Sequence, residues 1–140
     1  MEVDPCLCFY LLDDQHNLIP TEDTQRWGDW MRSTDRSVAK TIIPHQQEDI
    51  MISTVFLAIP HPWKFGVERD DIALFETMVF GPEEIVIALS KIAEQHTNSI
   101  MADLLGICDI QERYATWDEA ERGHERMCRF VAIALPKITR

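Results

Sequence analysis

Ile50-Met51-Ile52-Ser53-Thr54-Val55-Phe56-Leu57-Ala58-Ile59 is the stretch that decides the fold. With the two-residue period of a strand, Ile50, Ile52, Thr54, Phe56 and Ala58 face one way. Met51, Ser53, Val55, Leu57 and Ile59 face the other. Both sets are largely apolar, so the strand is expected inside a sheet, covered at least in part on both sides. Pro60-His61-Pro62 follows and is expected to end it, because each proline lacks a ladder donor. Ile72 to Phe80 reads as a returning strand that stops at Gly81. Ser37 to Ile43 reads as another, ended or edged by Pro44.

Upstream, the apolar run Leu7 to Leu12, the turn residues Asp13-Asp14-Gln15-His16-Asn17 and the short run Leu18-Ile19-Pro20 make a hairpin pattern with an irregular loop. Thr21 is expected to cap a helix whose first turn holds Glu22 and Asp23, where negative charge is favourable. Trp27, Trp30 and Met31 share a face of that helix. Periodicity favours core packing for the two tryptophans over a binding face.

Downstream, Gly81-Pro82-Glu83-Glu84 opens a helix, with proline at the first helical position and acids in the first turn. Ile85, Val86, Ile87, Ala88, Leu89, Ile92 and Ala93 cover most of its circumference, so it is expected either at the centre of the fold or against another subunit. Asn98 can cap a second short helix carrying Ile100, Met101, Leu104 and Leu105. Glu112 to Ala115 suits a short strand. Thr116 and Glu119 then fit a capping box before a helix whose buried stripe is Ala120, His124, Met127, Cys128, Val131 and Leu135, ended by Pro136. The sum is a single α+β domain over residues 1–140. Its core is a mainly antiparallel sheet of four to six strands with three to four helices packed on it, and it carries a helical insertion at about 82–111.

Length and composition agree with this. A chain of 140 residues with 46% hydrophobic side chains can bury a core without staples. No apolar run approaches the roughly 20 residues that cross a bilayer, and Met1-Glu2-Val3-Asp4 is acidic where a signal peptide would be basic. The expectation is a soluble, cytoplasmic protein with no membrane partner and no cofactor. Cys6, Cys8, Cys108 and Cys128 are then reduced thiols buried as small apolar groups. A zinc site is the sharper alternative, but the spacings 6, 8, 108 and 128 fit the usual ligand patterns poorly, so no metal is expected.

The net charge is −11, concentrated in residues 1–35 (8 acids, 2 bases) and 76–110 (6 acids, 1 base). Such a surface repels phosphate backbones, which disfavours direct nucleic-acid binding, and it speeds encounter with a basic protein surface. The plainer reading of the same charge is solubility.

The order of segments also carries a resemblance. A hairpin like Phe9-Tyr10-Leu11-Leu12-Asp13 is followed by a helix like Arg26-Trp27-Gly28-Asp29-Trp30. Strands like Ser53-Thr54-Val55-Phe56-Leu57 and Phe75-Glu76-Thr77-Met78-Val79-Phe80-Gly81 come next, then Tyr114-Ala115-Thr116-Trp117-Asp118-Glu119-Ala120 and Gly123-His124. This series resembles small bacteriophage and prophage proteins that have no assigned activity. Two departures stand out: residues 82–111 are longer here than in the relatives, and Pro60 stands where they carry an aspartate before the match to His61.

Catalytic motifs are thin. There is no phosphate-binding glycine loop, no G-x-S-x-G elbow and no H-E-x-x-H; His124-Glu125 begins like the last, but Cys128 stands where its second histidine belongs. His45, His61 and Glu76 are the polar candidates. His61 and Glu76 form an acid/base pair if they meet, whereas strand alternation puts Glu76 on a solvent face. His124, on an apolar stripe, reads more readily as a core histidine with a ring nitrogen bonded to backbone than as a ligand.

The resemblance, the charge and the lack of motifs imply a phage-encoded protein that binds a basic protein surface, most concretely a counter-defence inhibitor of the anti-CRISPR kind. Asp13, Asp14, Glu22, Asp23, Glu83 and Glu84 are the expected contacts. The alternatives are a self-assembling accessory protein joined through residues 83–105, or a small enzyme using His61 and Glu76.

Overall fold

In a computed structural model the described residues are 9–46, 48–61, 73–95 and 110–138. Strands β1 (Phe9–Leu12) and β2 (Leu18–Thr21) form a two-stranded antiparallel hairpin. Helix α1 (Thr24–Ser33) follows. Strands β3 (Ser37–Ile43), β4 (Ile50–His61), β5 (Ala73–Phe80) and β6 (Gln111–Tyr114) make an antiparallel sheet in that spatial order. Helix α2 (Glu83–Gln95) interrupts it, and helix α3 (Trp117–Ile138) closes it. The α+β expectation holds. The expected helix after Asn98 lies outside the described residues.

The alternation of β4 sets the layers. Ile50, Ile52, Thr54, Phe56 and Ala58 are fully buried, while Met51, Ser53, Val55 and Leu57 are only partly covered. The cross-strand register puts Thr41 and Val79 beside Ile52, Ala39 and Thr77 beside Thr54, and Phe75 beside Phe56, all on the buried face. Helix α3 lies across all four strands on this face.

The buried face is divided into two apolar groups. Ile50, Ile52 and Val79 pack with Leu89 and Ala93 of α2 and with Met127, Val131 and Leu135 of α3. Phe56, Ala58, Phe75, Tyr114 and Ala120 pack with Tyr10 of the hairpin, with Trp27 and Trp30 of α1, and with Trp117. The tryptophans of α1 therefore serve the core, Trp30 edge-on to Phe56 at 5.8 Å and Trp27 tilted against Phe9 at 4.7 Å. Each fully buried large apolar side chain contributes roughly 1.5–3 kcal/mol.

Several local expectations are corrected. Asp23, not Thr21, caps α1: its carboxylate accepts the amides of Gln25 (3.1 Å) and Arg26 (3.0 Å), while the Thr21 hydroxyl accepts the amide of Asp23. Pro60 does not end β4. The pairing shifts register between Phe56 and His61, and Ala58 has φ +67°, so the strand passes a bulge where a missing ladder donor is tolerated. Pro136 sits inside the last turn of α3, where it forfeits one bond without breaking what precedes it. Helix α2 flanks α3 instead of forming the centre: Leu89 and Ala93 are buried, but Ile87 is 46% exposed. The Thr116 capping box forms, with Glu119 reaching the amide of Ala115, one residue before the cap.

Gly123 is the tightest point between α3 and β6. A Cβ there would overlap the ring of Tyr114. Gly123→Ala is expected to displace that ring and lower stability by about 1–3 kcal/mol. Urea denaturation, read together with the near-ultraviolet signal of Tyr114, checks this; an unchanged midpoint would contradict the packing described.

Candidate functional site

Between the two apolar groups lies a buried polar layer. His124 of α3 is the core histidine expected, but both of its ring nitrogens bond hydroxyls instead of backbone. Its Nδ1 bonds the Thr54 hydroxyl of β4 at 2.7 Å, and its Nε2 bonds the Thr41 hydroxyl of β3 at 2.8 Å. Thr54 in turn bonds Thr77 of β5. Tyr114 donates to Glu112 at 3.0 Å, and Glu112 pairs with Arg126 of α3 at 3.8 Å.

Tyr114 has one hydroxyl proton and gives it to Glu112. A neutral His124 ring donates from one nitrogen and accepts at the other, so of Thr41 and Thr54 one donates to the ring and the other accepts from it. Burial first, and the Glu112 charge second, push the Tyr114 phenol up, so it stays a donor. Burial holds His124 below the usual imidazole value of 6.5, against a smaller opposing effect of Glu125. The ring is 5% exposed and Thr54 and Thr77 are fully buried. Its burial keeps substrate from the layer.

The strand register sets the backbones of the acid/base candidates apart. The backbone of His61 pairs with Ala73, three residues along β5 from Glu76, or about 10 Å of strand. Glu76 instead accepts from Arg113 Nε at 2.9 Å and from Gln111 Nε2 at 2.8 Å, as a cross-strand ion pair on the face away from α3. His45 lies in the turn between β3 and β4, its carbonyl accepting the amide of Glu48. Of the cysteines, Cys128 is half-buried and free, and Cys6, Cys8 and Cys108 lie outside the described residues. Among the described residues no three His, Cys, Asp or Glu side chains converge as metal ligands.

The six expected contact acids divide by role. Asp13 is tied into its own loop: it accepts the amides of Asn17 (2.9 Å) and Gln15 (2.8 Å), and the Asn17 amide bond first holds its carboxyl below the ordinary value. Asp23 is the α1 cap. Asp14, Glu22, Glu83 and Glu84 are exposed. They do not form one patch. The hairpin tip is placed by His16, stacked on Trp117 with ring centres 3.5 Å apart, and Trp117 meets Phe75 edge-on. Glu83 and Glu84 follow Phe80, about 17 Å along the same strand.

Two surface features had no signal in the sequence. A cleft of about 490 Å³ runs between Gln15–Leu18 and Thr116–Arg122, with His16 on Trp117 at its side. On the sheet face away from α3, Ile42 is 53% and Phe80 44% exposed. The His16–Trp117 stack discloses the first and the strand pairing the second.

His124 gives a pH signature. A group whose folded pKa lies below its unfolded value contributes stability that is present above pH 6.5 and lost as pH falls through that value toward the folded pKa. The urea midpoint is expected to decline below pH 6.5, and His124→Gln is expected to abolish that decline while costing about 1–3 kcal/mol at pH 8. Thr54→Val leaves the buried Nδ1 without its partner and is expected to cost a similar amount, about 1–3 kcal/mol, by the same measurement. Among the described residues no helix is long and apolar enough to cross a membrane. Comparisons with protein-family models, curated proteins and solved structures returned no match.

Proposed function

We propose that this chain is a small acidic binding protein whose partner is a protein with a basic surface. One observation carries the reading. The exposed carboxylates of Asp14, Glu22, Glu48, Asp49, Glu83 and Glu84 pair with no cation among the described residues, whereas Asp29, Glu76 and Glu112 have arginine partners. Exposed charge left without internal partners raises the rate and selectivity of encounter with opposite charge and adds little to folding. The separation of His61 from Glu76 by register weighs against the small-enzyme alternative.

The sequence resemblance supplies the setting: a bacteriophage or prophage protein acting in the cytoplasm of its bacterial host. There an acidic protein of this size suits a counter-defence inhibitor occupying a basic channel. A second reading, self-assembly through residues 83–105, is favoured by the exposure of Ile87 on α2.

The tagged full chain, incubated with host lysate, is expected to capture one basic protein in near-stoichiometric amount and to lose it at roughly 0.5 M salt, where the Debye length falls below about 5 Å. Charge reversal at Glu83 and Glu84, or at Asp14 and Glu22, is expected to weaken that capture about tenfold or more. Capture indifferent to salt and to both reversals would end the acidic-contact reading. Recovery of the chain alone, as a concentration-dependent oligomer, would favour self-assembly.

A further inference from the structure

We propose that Ile42, Met51 and Phe80 form a docking strip for a basic amphipathic helix of the partner protein. This rests on the reading of a basic partner and gives it a place. The register pairs Ile42 of β3 with Met51 of β4, and Met51 with Phe80 of β5. Paired residues in an antiparallel sheet project to the same side, so the three form one row across three strands. Their neighbours Ile43 and Ile50 belong to the core packed by α2 and α3, so the row lies on the opposite face. Ile42 is 53% exposed, Phe80 is 44% exposed and Met51 is partly exposed between them. The next row along the face is Lys40, Ser53, Met78 and Gln111, which is largely polar and bounds the strip.

Size and charge select the occupant. Two gaps between strands make a row about 10 Å long. The apolar stripe of an amphipathic helix, at i, i+3 or i+4, and i+7, covers about the same length at 1.5 Å per residue. At this end of the sheet stand Glu48 and Asp49, just before Ile50, and Glu83 and Glu84, just after Phe80. All four are exposed and pair with no cation among the described residues. Four such carboxylates at this end of the sheet outweigh Lys40 in the next row, and an apolar row so placed complements a helix whose apolar stripe is flanked by lysine or arginine. A second copy of this chain seated on the same strip would bring two such acidic borders together, which like-charge repulsion opposes.

The test titrates the 15N-labelled full chain with a synthetic leucine/lysine amphipathic peptide of about five helical turns, with a leucine/glutamate peptide of the same pattern as control. The expected result is amide shifts centred on Ile42, Met51 and Phe80. Affinity is expected to fall about tenfold or more in the Ile42→Ser/Phe80→Ser double variant, and separately in Glu83→Lys/Glu84→Lys. The second pair changes only exposed residues, so it reports even if the first disturbs the sheet. Equal binding of the glutamate peptide, undiminished affinity in both variants, or no binding of the lysine peptide would overturn the strip. Shifts centred instead on the hairpin tip and the start of α3 would overturn it while leaving a basic partner intact. Sedimentation showing a wild-type dimer that the Ile42/Phe80 variant loses would overturn it in favour of a second copy. Failure of the lysate capture as well would remove the basic-partner reading itself.

Discussion

The hydrogen bonds of His124 set the seat of α3 on the sheet. Apolar packing is non-directional, and a helix with an apolar stripe loses little by sliding along an apolar sheet face. The polar layer removes that freedom. Thr54 and Thr77 are fully buried, and a buried hydroxyl or ring N–H without a partner costs about 1–3 kcal/mol. Only one seat of α3 places an imidazole between Thr41 and Thr54. The same seat brings Gly123 against the Tyr114 ring, so two consecutive residues of α3 fix its rotation and its height. The two apolar groups on either side are then filled by side chains one and two turns away: Ala120 on one side, and Met127 and Val131 on the other.

This explains which parts of the fold were legible in the sequence. The alternation in Ile50 to Ile59 is a local property, and the fully buried set in the structure is the one the period of two assigns. The boundaries of β3 and the face shared by Trp27, Trp30 and Met31 are local in the same sense. What failed were choices between neighbours able to do one job. Thr21 and Asp23 are both helix-capping residues, and the carboxylate two residues on reaches the free amides of α1. Pro60 and Pro136 read as breakers, yet one follows a bulge and the other falls in a final turn. Non-local features gave no signal. Nothing near Thr54 announces a histidine 70 positions away, and nothing near Ile42 announces Phe80. The acids expected as contacts were named from exposure and charge, and a sequence cannot say that Asp13 and Asp23 spend their carboxylates on their own backbone.

Placing both long helices on one face of the sheet has a consequence for the other. The face away from α3 carries the Glu76–Arg113 ion pair near its middle and the exposed row of Ile42 and Phe80 at one end. A sheet built only for stability would place polar side chains at exposed positions of an edge-proximal row. Here large apolar groups hold such positions, beside carboxylates that pair with no cation among the described residues.

The polar layer has a second anchor at its edge. Tyr114 of β6, its ring against Gly123, donates to Glu112, and Glu112 pairs with Arg126 of α3, two residues beyond His124. The Glu112 carboxylate is only 14% exposed, and its cation, Arg126, is 32% exposed. The helix is therefore held to β3 and β4 by a buried imidazole and to β6 by a partly exposed ion pair, two polar contacts of different depth on one turn of α3.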